Sequence, residues 1–151
     1  MLTVRHYCTS SVHRYLIYIN VSGMANCPAT TRRNSRTLID SQGIPWGQWP
    51  KETLRGIYAI KQGGLVIYVG RSGNLNQRLR SHCYRRLEED QQAIDRHIRR
   101  TAAWRLSYNY VVDPNQRFNE RCYVHFITLL QGRPPRFNKR RGDACAQCQR
   151  I

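Results

Sequence analysis

Acidic residues are scarce in this chain, and lysine is scarcer. Its 151 residues carry 9 Asp and Glu against 25 Lys and Arg, a formal net charge of +16, and no acid stands before Asp40. Only Lys51, Lys61 and Lys139 are lysines, so the other basic residues are arginines. Arginine forks onto phosphate with two parallel hydrogen bonds, whereas lysine is a mobile point charge. The bias therefore points to a phosphate-rich partner, above all nucleic acid. An anionic membrane competes for the same charge, but no run approaches the ~18 apolar residues of a spanning helix, and no membrane partner is expected. A dense cysteine framework is also missing. Cys8, Cys27, Cys83, Cys122, Cys145 and Cys148 are scattered and read as reduced thiols of an intracellular protein, whether nuclear, cytoplasmic or mitochondrial. The pair in "CAQC" offers two zinc ligands where a structural site needs four. No internal repeat, zinc-finger pair or helix-turn-helix signature is present.

What is there suffices for one domain. Hydrophobic residues make up 40% of the chain, enough at this length for a core. Residues 1–39 read as a basic N-terminal arm, either a mitochondrial presequence or a disordered segment, with Met24 as an alternative start. The domain is expected over 40–138, followed by a basic tail over 139–151. "RGIYAIKQ" (55–62) and "LVIYVGR" (65–71) are rich in β-branched and aromatic residues. Gly63-Gly64 between them signals a hairpin. Asn74 with Gln77 three residues on marks a helix start over 74–87, with Leu75, Leu79, Cys83 and Leu87 as its apolar stripe. A second helix is predicted over 88–103, its acids at the start and its arginines at the end, as the helix dipole favours. "WRLSYNYVV" (104–112) suits a third strand. Asp113-Pro114 suits an N-cap and first helical position, giving a last helix to about Gln131 that Gly132 and Pro134-Pro135 stop. The order β-β-α-α-β-α implies an α/β (α+β) domain: a small, mainly antiparallel three-stranded sheet flanked by helices.

One stretch brings chemistry together. Tyr58 lies two residues from Gly56 and Tyr68 two residues from Gly70, so in strands each tyrosine shares a face with its glycine, Tyr68 with Val66 as well. A bare glycine there leaves room for a backbone or a substrate to come close. Arg78 and His82 are four apart and stack on one side of their helix, beside the stripe that holds it to the sheet. On the last helix Glu120 lies with Tyr123, Val124, Ile127 and Leu130, facing the sheet, where an ion pair or a metal must compensate its charge.

"GIY" at 56–58 and "YVG" at 68–70, followed by "RSGNLNQRLRSH", resemble the GIY-YIG nuclease family over about residues 55–138. Val69 stands where the family has isoleucine. The resemblance implies a metal-dependent endonuclease that hydrolyses DNA phosphodiesters, with Mg²⁺ or Mn²⁺ as cofactor. It places the family's helix arginine at Arg78, its basic position after the second motif at Arg71, and its closing asparagine at Asn138. His82 resembles the histidine some members carry one turn after the arginine. The family's metal-binding glutamate has Glu120 as its candidate. In the repair nucleases it registers near Phe126, so either Glu120 takes the role from an earlier turn or the usual ligand is missing. Tyr58 is then the choice of general base, with Tyr68 the alternative; Tyr68 otherwise orients a phosphate or a water, Arg78 stabilises charge in the transition state, and Glu120 holds the metal. Arg71, Arg80, Arg85, Arg86 and Asn138 are the expected nucleic-acid contacts. The alternative is an inactive nucleic-acid-binding module on the same fold. Oligomeric state and the choice among plain, branched and flapped DNA are not encoded in any motif.

Overall fold

The computed structural model of the 151-residue chain describes residues 27–84, 93–114, 118–138 and 145. Their core is a four-stranded antiparallel sheet of β1 (Ile44–Pro45), β2 (Gly56–Gln62), β3 (Leu65–Ser72) and β4 (Leu106–Val112), in the order β1-β4-β2-β3. Strand β2 is central and β3 lies at an edge. Helices α1 (Cys27–Asp40), α2 (Leu75–Tyr84), α3 (Ala93–Arg100) and α4 (Glu120–Gln131) flank it. Side chains alternate along β2, so Tyr58 and Ile60 pack with Leu75, Leu79, Ile94 and Ile98 of α2 and α3. Ile57 and Ala59 pack on the opposite face with Leu38 of α1 and with Tyr123, Val124 and Ile127 of α4.

Local turn chemistry fixes several boundaries as expected. Gly63 and Gly64 have φ of 57° and 80°, the left-handed pair that a tight hairpin needs. Asn74 caps α2, its side-chain oxygen accepting from the Gln77 N–H at 3.0 Å. Gly132 ends α4 in the left-handed conformation at φ 76°.

Other expectations are corrected. The sheet has four strands, not three, because the loop before the hairpin adds Ile44–Pro45 to the edge of β4. The basic segment 1–39 is not all arm: α1 fills its last part and crosses the expected boundary at residue 40. Buried Lys61 donates from Nζ to the carbonyls of Ile39 at 2.6 Å and Ser41 at 3.0 Å, a cation at the helix C-terminus. Asn109 donates to the Leu38 and Ser41 carbonyls as well. The last helix starts at Glu120, not at Asp113-Pro114. Val112 is still paired with Gly56, and Asp113 ends the strand by accepting the Phe118 N–H on Oδ2 at 2.6 Å. Asn119 is the cap instead, accepting from the Arg121 N–H. A register shift between Ile60 and Lys61 leaves Ile67 as a bulge in β3. Tyr68 and Ile67 therefore both lie on the α2/α3 side, while Val66 lies on the other, so Tyr68 and Val66 do not share a face. Residues 1–26, 85–92 and the tail other than Cys145 lie outside the described residues, and with them the presequence reading, Arg85 and Arg86.

No helix among the described residues is long and apolar enough to cross a membrane.

Candidate active site

The two tyrosines meet through the hairpin pairing. Tyr58 lies directly opposite Gly70, and its ring covers that glycine so closely that a Cβ at Gly70 would stand 2.5 Å from the Tyr58 Cζ. The room left by the bare glycine is taken by the chain's own tyrosine. At Gly56 the neighbour is backbone: a Cβ there would stand 3.0 Å from the Val111 carbonyl carbon and strike its oxygen. Both glycines serve close internal approach.

Helix α2 enters on the same side. The Leu75–Leu79 stripe seats it on the sheet, which carries Arg78 and His82 over the tyrosines. The Arg78 Nε donates to the Tyr58 hydroxyl at 3.2 Å, and the same guanidinium faces Tyr68. Buried His82 lies with Nε2 at 2.8 Å from the Tyr58 oxygen. Its ring stands 5.7 Å, centroid to centroid, from Tyr58 and from Tyr68. The far nitrogen, Nδ1, is hydrogen-bonded to the carboxylate of buried Asp95 on α3.

The electrostatics follow from this burial. Desolvation pushes the Tyr58 phenol far above its ordinary range, with Tyr68 adding to the rise and Arg78 opposing it. Desolvation likewise raises Tyr68, and the Glu120 charge adds to it. His82 is held below its ordinary value, burial outweighing the help that Asp95 gives the imidazolium. The two ring nitrogens face different groups, Nδ1 the Asp95 carboxylate and Nε2 the Tyr58 hydroxyl.

Glu120 arrives from the other side of the sheet, around its edge. It is the first residue of α4, and its Oε2 accepts the backbone N–H of Arg71 on β3 at 3.1 Å. Burial raises its pKa, opposed by Arg71, Arg78 and Arg121. Tyr58, Tyr68, Arg78, His82 and Glu120 thus come together from β2, β3, α2 and α4. Phe126, the other register considered for the carboxylate, packs away from them against Cys122. As to a metal, no three His, Cys, Asp or Glu side chains group together among the described residues. The fit is that of an ion held mostly by water and substrate oxygens. One half-buried carboxylate suits Mg²⁺ in that way.

Of the expected nucleic-acid contacts, Arg71 and Arg80 are exposed, with Arg71 also donating to the Phe118 carbonyl at 3.4 Å. Asn138 is engaged elsewhere: its amide accepts from the Val69 N–H and donates to the Val69 carbonyl, both at 2.9 Å. Gln131 holds Val66 in the same way, and the Phe137 N–H donates to the Ile67 carbonyl. These residues close the free edge of β3, which gives Asn138 a structural task. Of the "CAQC" pair, Cys145 approaches α4, its N–H donating to the Cys122 sulfur at 3.4 Å; Cys148 lies outside the described residues. Sequence reading missed Asp95. It was counted with the acids at a helix start, yet it lies between Ile94 and Ile98 on the apolar face of α3, and an acid placed there needs a partner.

Solved structures of the GIY-YIG N-terminal endonuclease domain of UvrC from Thermotoga maritima are similar to this chain. A point mutant bound to its catalytic divalent cation is 20% identical, with 74% of this chain and 97% of that one covered and a TM-score of 0.38. The magnesium-bound form is 20% identical over 72% of this chain and 96% of that one, with a TM-score of 0.35. No family model and no curated protein matches the chain.

Proposed function

We propose that this protein is a metal-dependent endonuclease that hydrolyses phosphodiester bonds of DNA. One observation carries the reading: the Tyr58 hydroxyl sits between a proton acceptor, His82 Nε2 at 2.8 Å, and a cation, Arg78 Nε at 3.2 Å. Those are the two partners a tyrosine needs to act as a base. Alone it is a poor one. An ordinary phenol titrates near ~10, and burial raises this one further. Tyr58 therefore does not wait as a phenolate. It takes a proton from the attacking water as its own proton passes to His82, so no free phenolate builds up. Arg78 remains against the phenol oxygen and the scissile phosphate, stabilising negative charge as it develops. Tyr68, on the same guanidinium, orients the phosphate. Glu120 would hold Mg²⁺ or Mn²⁺, which when bound polarises the phosphate and stabilises the departing oxygen. Arg71 and Arg80 grip the backbone, as do Arg85 and Arg86 from their place in the sequence after α2.

The test is supercoiled plasmid with the purified chain and Mg²⁺, with and without EDTA. Nicking that EDTA abolishes, and that Tyr58→Phe loses, is expected. Salt-sensitive binding without any nicking would select the inactive binding module.

A further inference from the structure

We propose that Asp95 is a positioning residue that fixes the proton of His82 on Nδ1 and so leaves Nε2 to accept the proton of Tyr58; this rests on the nuclease reading above. His82 is fully buried. It is faced by Tyr58 from β2, Tyr68 from β3, Asp95 from α3 and Arg78 from its own helix. Among the described residues, Asp95 is hydrogen-bonded to Nδ1 and Tyr58 to Nε2. With Asp95 ionised, the neutral ring has one tautomer that satisfies both ends: Nδ1–H donated to the carboxylate, Nε2 accepting from Tyr58.

Proton transfer then has one direction. As the attacking water loses a proton to the Tyr58 oxygen, the Tyr58 proton moves to Nε2. The water oxygen forms its bond to phosphorus while the bond to the leaving oxygen breaks. His82 becomes an imidazolium whose charge Asp95 compensates. The departing oxygen takes its proton from solvent, and His82 then returns its own through Tyr58 to solvent, which restores the starting state. Tyr68 meets the edge of the imidazole at 76° and is hydrogen-bonded to Tyr58, so a proton it gives up reaches Nε2 through Tyr58.

This assigns Asp95 a task distinct from holding α3 in place. Ile94 and Ile98, the apolar neighbours of Asp95 on that helix, already anchor it. A carboxylate there is otherwise a buried charge with a cost.

The test has two readouts on the full chain. In ¹⁵N-histidine-labelled wild type at neutral pH, His82 is expected to show a protonated Nδ1 and an unprotonated Nε2, and Asp95→Asn to lose that preference. In single-turnover cleavage with Mg²⁺, Asp95→Asn should lower the rate by roughly 10²–10⁴, the scale of a wrong histidine tautomer in a hydrolase triad, with DNA affinity unchanged. Removing the carboxylate also removes what favours the imidazolium, so the acid limb of the pH–rate profile should move to lower pH. A merely structural Asp95 predicts a rate loss that follows a fall in melting temperature, with the acid limb unmoved. That result overturns the proposal, as does wild-type cleavage by Asp95→Asn or a wild-type His82 protonated on Nε2. A wild-type chain that leaves all DNA uncut sinks the nuclease reading instead. The tautomer measurement then still decides whether Asp95 fixes the proton.

Discussion

Replacing Gly70 with alanine should damage the site more than the sheet. A Cβ at residue 70 would stand 2.5 Å from the Tyr58 Cζ and 2.7 Å from its Cε1. Carbon atoms in ordinary contact stand ~3.5–4.0 Å apart, so the ring must retreat by about 1 Å. It has nowhere to go freely, since Tyr58 is fully buried under His82 and Arg78. A bond of 2.8 Å to His82 stretched by that amount is no longer a hydrogen bond. Overpacking a core by a methyl group costs ~1–3 kcal/mol, and a weakened buried bond adds to it. We expect a total of about 2–4 kcal/mol. For a chain of this size that is a fall of roughly 5–15 °C in melting temperature. Displacing a reacting group by 1 Å costs on the order of 10² in rate, measured on the folded fraction. The assay pairs thermal unfolding by circular dichroism with plasmid nicking well below the transition. Gly73→Ala is the control, because a Cβ there meets nothing within 4 Å. Gly56→Ala is the opposite extreme: its Cβ would strike the backbone of β4, which cannot turn aside, and the sheet itself should fail. A Gly70→Ala protein with the melting temperature and nicking rate of the wild type would show that Tyr58 does not need its place over residue 70.

Three further outcomes are expected. Arg78→Ala should lower cleavage by about 10²–10³ while DNA binding weakens little, because other arginines hold the backbone; collapsed binding with unchanged turnover of bound DNA would make Arg78 a docking residue only. Asn138→Ala should cost about 1–3 kcal/mol by stripping both partners from Val69 and leave DNA affinity unchanged, so lost affinity at full stability would restore it as a phosphate contact. Glu120→Gln should keep DNA affinity and lose Mg²⁺-dependent nicking, and an ion found elsewhere in Mn²⁺-soaked crystals would refute the assignment.

Sequence made the hairpin, the start of α2 and the end of α4 legible because single residues decide them: Gly63-Gly64, Asn74 and Gly132 each answer a local backbone requirement. It was misleading wherever tertiary contact outweighs local preference. Helix α1 looks polar because its buried side includes Thr31 and Ser35 as well as Leu38. Its support comes from Lys61, Asn109 and α4, all distant in sequence. Asp113-Pro114 imitates a helix start, but β4 still owns that backbone. Five of the six residues now placed in the site were readable from motif and spacing. Asp95 was not, because recognising it requires knowing which face of α3 is buried and that His82 waits there.

The edge position of β3 is what allows the site to exist. Glu120 belongs to a helix on the α1/α4 side, whereas Tyr68, Arg78 and His82 lie on the α2/α3 side. In a central strand the sheet would separate carboxylate from guanidinium by its own thickness, with a neighbouring strand occupying the Arg71 N–H. At an edge that N–H is free to bind the Glu120 carboxylate, and the acid comes near Arg78 around the rim. An open edge also invites pairing with another chain. The clamps by Gln131, Phe137 and Asn138 at Val66, Ile67 and Val69 answer that hazard. They stop short of Arg71, where the carboxylate takes over. The asparagine read as a nucleic-acid contact and the glutamate read as a metal ligand therefore serve one strand edge. Asn138 closes its protected part, and Glu120 holds its remaining end near Arg78.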